Sequence, residues 1–205
     1  MWKTVEVLRM PSSMTAPSPI KRANAAKTVK KVMDLFSPLH PTTYTLHLDF
    51  DAGRDGGKAK SGWEKRASQS LTELFDLTGD LSGLSVETLD YPIDYLEELS
   101  CRFDLNICMD AGHHLKYGHN LTATFEKYEK KIPIIHLHGV DFSSDLAKDH
   151  TSLDKTPEQE IEIIVHLLDR FSGVVSLEVF NLENLICSLN ILSNFYQDIP
   201  RIKKD

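Results

Sequence analysis

Several short apolar runs in this chain each end on an acidic or imidazole group. Tyr44-Thr45-Leu46 leads to His47, Leu84-Ser85-Val86 to Glu87, and Leu105 through Met109 to Asp110, with His113 three residues on. Ile132 through Ile135 leads to His136, and Val174 through Leu177 to Glu178. Successive strand-end groups, His47, Glu87, Asp110, His136 and Glu178, are 40, 23, 26 and 42 residues apart, enough for a strand, a helix and two loops each time. Ligating side chains at the same end of successive strands describe a metal site at one mouth of a parallel barrel. With His150 the candidate metal ligands are His47, Glu87, Asp110, His113, His136, His150 and Glu178. Imidazole and carboxylate without thiolate suit Zn²⁺, Mn²⁺ or Fe²⁺. The set exceeds the needs of one ion, so two or more divalent ions are expected. Such a cluster can activate water and clamp both oxygens of a phosphodiester.

Each group also has a plainer reading. Asp110-Ala-Gly-His113 presents an anionic and a neutral ligand one turn apart, although Asp and His are common in loops. His136-Leu137-His138 places two imidazoles on one face of a strand, or else two satisfied core histidines. Glu87 and Glu178 are lone carboxylates in apolar strands, and each needs a cation or several donors; a structural ion pair would also serve. Asp149-His150 sits in the long segment after the His136 strand and reads alone as a solvated loop pair. In the loop 51–60, Arg54 and Lys58 could reach an anionic substrate, or the loop is a flexible surface feature. Trp63 and Tyr91 could stack on a flat ligand or pack in the core.

The elements that must position these groups alternate. Strands are predicted near 3–9, 43–49, 84–88, 104–109, 132–137 and 173–179. A helix after the 10–19 loop has Ile20, Val29, Val32, Met33 and Phe36 inward, and Pro38 and Pro41 end it. Further helices carry Leu71, Leu74 and Phe75; Ile93, Leu96 and Leu99; and Leu121, Phe125 and Tyr128 behind an Asn120 cap. Thr156-Pro157-Glu158-Gln159 reads as a capping box ahead of Ile161, Ile164, Val165 and Leu168. A last helix uses Leu185, Leu189 and Leu192. This alternation means an α/β fold with a parallel sheet. The expected architecture is a single domain over 1–205, a TIM (β/α)8-type barrel incomplete at its N-terminus by about two βα units, with 1–40 partly irregular and 41–197 as core. Six strands do not close such a barrel, so open edges and self-association as a homodimer are expected.

The 205-residue chain is 41% hydrophobic and 26% charged, an ordinary globular composition. Its net charge of −7 argues against broad binding to nucleic-acid phosphates. Cys101, Cys108 and Cys187 lack metal or redox spacing, as in a reducing compartment. The start, Met1-Trp2-Lys3-Thr4, has no apolar signal region, and no run is long enough to span a membrane. A cytoplasmic protein is expected.

These motifs together resemble the superfamily of xylose isomerase-like TIM barrels, which includes the endonuclease IV-type apurinic endonucleases (AP endonuclease family 2) and sugar isomerases and epimerases. The resemblance covers roughly 40–195. It implies metal binding by a strand-end His, a Glu, D-x-x-H, a strand His, a loop His and a final Glu; His47, Glu87, Asp110 with His113, His136, His150 and Glu178 take those places in order. The endonuclease pattern has an Asp two before the loop His, whereas Asp149 is adjacent to His150. Within the superfamily the phrasing is most similar to the cobamide-remodelling phosphodiesterases of the CbiR type, in Glu87-Thr-Leu-Asp-Tyr-Pro92, Met109-Asp-Ala-Gly-His-His114, His136-Leu-His-Gly-Val140, Lys148-Asp-His-Thr-Ser-Leu153 and Leu177-Glu-Val-Phe180. That resemblance implies hydrolysis of the nucleotide-loop phosphoester of a corrinoid by metal-activated water, with Glu87, Glu178 and His138 catalytic and Arg54, Lys58 and Asp149 binding substrate. The alternatives are a metal-dependent sugar or hydroxy-ketone isomerase, with Glu87 and Glu178 straddling one ion, and an inactive remnant or subunit of the same fold.

Overall fold

Short runs of aliphatic and β-branched residues form the strands, and amphipathic stretches between them form the helices. The structure, a computed structural model, describes residues 4–7, 13–57 and 60–199. It divides into two compact units: residues 1–108 with 130–133, and residues 109–129 with 134–205.

In the first unit, β1 (Thr4–Val7), β2 (Thr43–Leu46), β3 (Leu84–Glu87) and β4 (Asn106–Asp110, whose last two residues belong to the second unit) pair in parallel and in chain order. Leu46 lies opposite Val86, and Val86 opposite Ile107. The intervening helices are α1 (Pro19–Phe36), the single turn α2 (Ala52–Asp55), α3 (Lys60–Thr78) and α4 (Asp94–Phe103). Ser18 caps α1, with Pro19 in its first turn, where the missing N–H costs nothing. The buried stripe of α1 is Arg22, Ala25, Ala26 and Val29. Ile20 lies about 200° around the helix from Arg22 and is 74% exposed, contrary to the expected inward face. Arg22 takes the buried place because its guanidinium donates to the Ala16 and Pro17 carbonyls and to Gln69. Leu71 and Leu74 of α3 are buried as expected, while Phe75 stands 46% exposed at the rim of that stripe. Trp63 and Tyr91 are fully buried and pack with Phe50 and Tyr95, with ring centroids 5.3–6.4 Å apart, so core packing is their role. Each buried side chain of this size contributes about 1.5–3 kcal/mol by leaving water.

In the second unit, α5 (Ala111–Tyr117) and α6 (Leu121–Tyr128) precede β5 (Ile134–Leu137), and α7 (Glu158–Leu168) leads to β8 (Val174–Leu177) and α8 (Leu182–Leu192). β5 and β8 are parallel, with His136 opposite Ser176. Asn120 caps α6 as predicted, accepting from the Ala123 N–H. The segment predicted as a loop after β5 instead holds an antiparallel hairpin, β6 (Gly139–Asp141) and β7 (Lys148–Thr151). The predicted capping box at α7 does not form. Thr156 Oγ1 accepts from the buried Val140 N–H at 2.9 Å, and no side chain caps the helix. A buried amide without a partner is costlier than an uncapped helix end in water, so the hydroxyl serves the hairpin. All six predicted parallel strands are present near their expected positions. Among the described residues, no helix is long and apolar enough to cross a membrane.

Candidate metal site

In the first unit, the β2–β3 register brings His47, just past β2, beside Glu87 at the end of β3. His47 Nε2 lies 2.8 Å from Glu87 Oε2, and Glu87 is only 1% exposed. The imidazole thus meets the need of a buried carboxylate for a polar partner. Arg54 is committed elsewhere. Its Nε and Nη2 donate to Asp55 Oδ1 and Oδ2 at 2.9 and 2.6 Å, and Arg66 donates to the same buried carboxylate. Burial alone would raise the Asp55 pKa, but the hydrogen bonds from Arg54, the Asp51 amide and Arg66 outweigh it and hold the carboxyl below its usual range. Lys58 lies outside the described residues.

The second unit brings most of the predicted donors together. Asp110 ends β4 and caps α5, its Oδ1 accepting from the His113 N–H at 2.7 Å. The cap turns His113 back over the carboxylate, with Nδ1 3.3 Å from Oδ2. His136 on β5 has Nδ1 2.8 Å from Glu178 Oε1, because the β5–β8 pairing continues through the Glu178 N–H to the Leu137 carbonyl. Asp110, His136 and Glu178 each offer a donor atom within 4.8 Å of the others, and so do His113, His138 and His150. His150 sits on β7 with φ +53°, an uncommon conformation for a side chain with a Cβ and one that concentrates at functional sites. Its ring stacks on His138 at 4.2 Å and, on the other side, on Phe180 at 4.7 Å. The Glu178 carboxylate, 3.8 Å from Nε2, raises the His150 pKa, burial opposes it, and Asp149 adds to the rise. Burial pulls the Asp149 pKa up, but the Lys116 ammonium at 2.6 Å and His150 outweigh it and hold the carboxyl at about 2. Buried carboxylates and imidazoles, converging without a thiolate in these two groups, fit a divalent transition metal.

Three contributors were not picked out from sequence. Gly112 is one: a Cβ there would fall 2.0 Å from His138 Cε1, so the ring occupies the space of the missing side chain. Gly139 is similar, its absent Cβ meeting the Ser152 carbonyl oxygen at 2.0 Å. His114 is the third, and its place in the His113-His114 doublet was the available signal. Buried at 1% exposure, it donates from Nδ1 to the Asp110 carbonyl at 2.9 Å, and burial pushes its pKa down to about 4.

No protein-family model matches the chain, and no curated protein matches it. Solved structures do. A xylose isomerase domain protein from Planctomyces limnophilus is 17% identical with TM-score 0.69, over 96% of this chain and 77% of that one. The IOLI protein with a bound zinc atom is 16% identical with TM-score 0.68, over 98% and 78%. Endonuclease IV from Thermus thermophilus is 12% identical with TM-score 0.70, over 95% and 76%. The structural neighbours are therefore xylose isomerase-like TIM barrels and endonuclease IV-type proteins. The fold is α/β of the TIM-barrel type, with six parallel strands described where a complete barrel has eight.

Proposed function

We propose that the chain is a metal-dependent phosphodiesterase of the CbiR type, hydrolysing the nucleotide-loop phosphoester of cobamides. The observation that carries this reading is the surplus of donors. The second unit alone presents a carboxylate-rich group, Asp110, His136 and Glu178, and an adjoining imidazole group, His113, His138 and His150. Chemistry beside a carbonyl needs one ion, whereas an in-line phosphoryl displacement uses two to hold the attacking and leaving oxygens. When bound, Zn²⁺ or Mn²⁺ supplies Lewis acidity and lowers the pKa of water. On this reading Glu178 takes a proton at Oε2, the oxygen 3.8 Å from His150 Nε2. Asp149, which the resemblance assigns to substrate binding, pairs with Lys116 at 2.6 Å beside His113 and His150. Phe180, 81% exposed outside the His150 ring, offers a flat apolar face to a ring-bearing substrate. The superfamily pattern assigns His47 and Glu87 to metal binding as well.

A second reading, a sugar or hydroxy-ketone isomerase, is favoured by the likeness to the xylose isomerase domain protein. One incubation separates the two. With Mn²⁺ and adenosylcobalamin, the phosphodiesterase releases the lower-ligand nucleoside, and EDTA stops the release. Interconversion of a keto-sugar with the cobamide intact contradicts the proposal.

A further inference from the structure

We infer that the outer face of Phe180 is the subsite for the planar base of the substrate's lower-ligand nucleotide. This rests on the phosphodiesterase reading and adds to it the part of the substrate that is recognised. Phe180 is the open end of a three-ring stack. His138, completely buried, closes the inner end. His150 lies over it at 4.2 Å and 13°, and Phe180 lies over His150 at 4.7 Å and 15°. One face of the phenyl ring is therefore taken, and its 81% exposure belongs to the other face and the rim. The ring is also held in place. Two residues before it, the Glu178 N–H donates to the Leu137 carbonyl at 3.0 Å. Directly after it, Asn181 caps α8 by accepting from the Asn184 N–H at 2.8 Å. The Asn184 side-chain amide in turn reaches the His150 carbonyl at 3.5 Å. The segment carrying the ring is thus pinned on both sides and tied to the β6–β7 hairpin, so the exposed face is a preorganised surface. A parallel stack is extended best by another flat π-system, and every nucleobase has one. The stack also starts beside the candidate metal donors, since His150 Nε2 is 3.8 Å from Glu178 Oε2. A base stacked at about 4.5–7 Å on the outer face lies two ring spacings from His150, a gap that the ribose and phosphate of a nucleotide span. A keto-sugar has no π-face to place there, and a corrin, with side chains projecting from both faces of its rim, does not lie flat on one phenyl ring.

The test measures binding of adenosine 5′-monophosphate and of ribose 5-phosphate to the Mn²⁺-loaded chain by titration calorimetry, in the wild type, Phe180→Ala and Phe180→Trp, with folding checked by circular dichroism. Stacking of a base on one aromatic ring strengthens binding by about 5–150-fold, and the wild type should prefer the nucleotide by a factor in that range. Phe180→Ala should lose the preference while keeping its affinity for ribose 5-phosphate and for Mn²⁺, and Phe180→Trp should retain it. No preference in the wild type, or an undiminished one in folded Phe180→Ala, overturns the inference. So does a Phe180→Ala chain whose oligomeric state changes in sedimentation equilibrium while the preference stays, because the ring is then a contact between copies. Nucleoside release from adenosylcobalamin, followed on the same samples, tests the phosphodiesterase reading separately. Release without a Phe180-dependent preference overturns the subsite alone, whereas a Phe180-dependent preference without release overturns the cobamide assignment and with it the identity of the base.

Discussion

Replacing Gly112 with alanine sets two effects of opposite sign against each other. Gly112 lies in the first turn of α5, where alanine is the better helix former by up to about 1 kcal/mol. The new Cβ, however, would meet His138 Cε1, Nδ1 and Nε2 at 2.0, 2.2 and 2.5 Å. An unstrained carbon contact needs about 3.5 Å, so the ring must retreat by about 1.5 Å. A retreat of that size breaks the 3.1 Å contact with Asp110 and the 3.0 Å bond from the His150 N–H. Overpacking costs about 1–3 kcal/mol, and leaving the His150 N–H without its acceptor about 1–3 more. Packing therefore wins, with a net loss of about 3 kcal/mol after the helix gain. For a chain of this size that corresponds to a fall in Tm of about 6–12 °C. Urea unfolding of Gly112→Ala, His138→Ala and the double variant measures the coupling directly. In the His138→Ala background the ring is gone, and Gly112→Ala should be neutral or mildly stabilising. Wild-type stability in Gly112→Ala, or an equal loss in both backgrounds, refutes the packing argument.

Asp55→Asn leaves the partly exposed guanidinia of Arg54 and Arg66 facing a neutral amide, and should cost about 1.5–3 kcal/mol. The folded pKa of Asp55 is depressed, so its contribution is present above the unfolded value of 3.8 and is lost as pH falls through the lower folded value. Urea curves of wild type and Asp55→Asn should differ fully at pH 6 and converge below pH of about 4; a constant difference down to pH of about 2 contradicts the assignment. Thr156→Val strands the buried Val140 N–H and should lose about 1–3 kcal/mol in thermal unfolding. Thr156→Ser should keep most of the wild-type stability, and Gln159→Ala should change little, since no capping box forms; the reverse ranking would restore the box.

The parallel strands were legible because each is a short aliphatic run stopped by a polar residue. The same stops carry the donors His47, Glu87, Asp110, His136 and Glu178, so fold and candidate site were read from one signal. The β6–β7 hairpin was not legible. Lys148-Asp149-His150-Thr151 has no apolar alternation, and its strand is defined by pairing with Gly139 and Asp141 rather than by burial. Thr156 and Gln159 have capping-box spacing, but the sequence does not show that Val140 needs the hydroxyl. Arg54 looked available to a substrate because nothing in the spacing reveals its bidentate grip on its own neighbour, Asp55. Ile20 was misplaced because a periodic pattern favours the apolar residue over Arg22, whose three acceptors are visible only in three dimensions. Gly112 carries no side chain to read, and its role appears only once His138 is seen filling its space.

The donor groups of the second unit hold a divalent transition metal on this account, and elemental analysis of the purified chain beside its Glu178→Ala variant tests that most directly. The wild-type chain should retain zinc or manganese after exhaustive dialysis, and the folded Glu178→Ala chain should lose a large part of it. A wild type without transition metal even after loading, or equal metal content in both chains, would contradict the account.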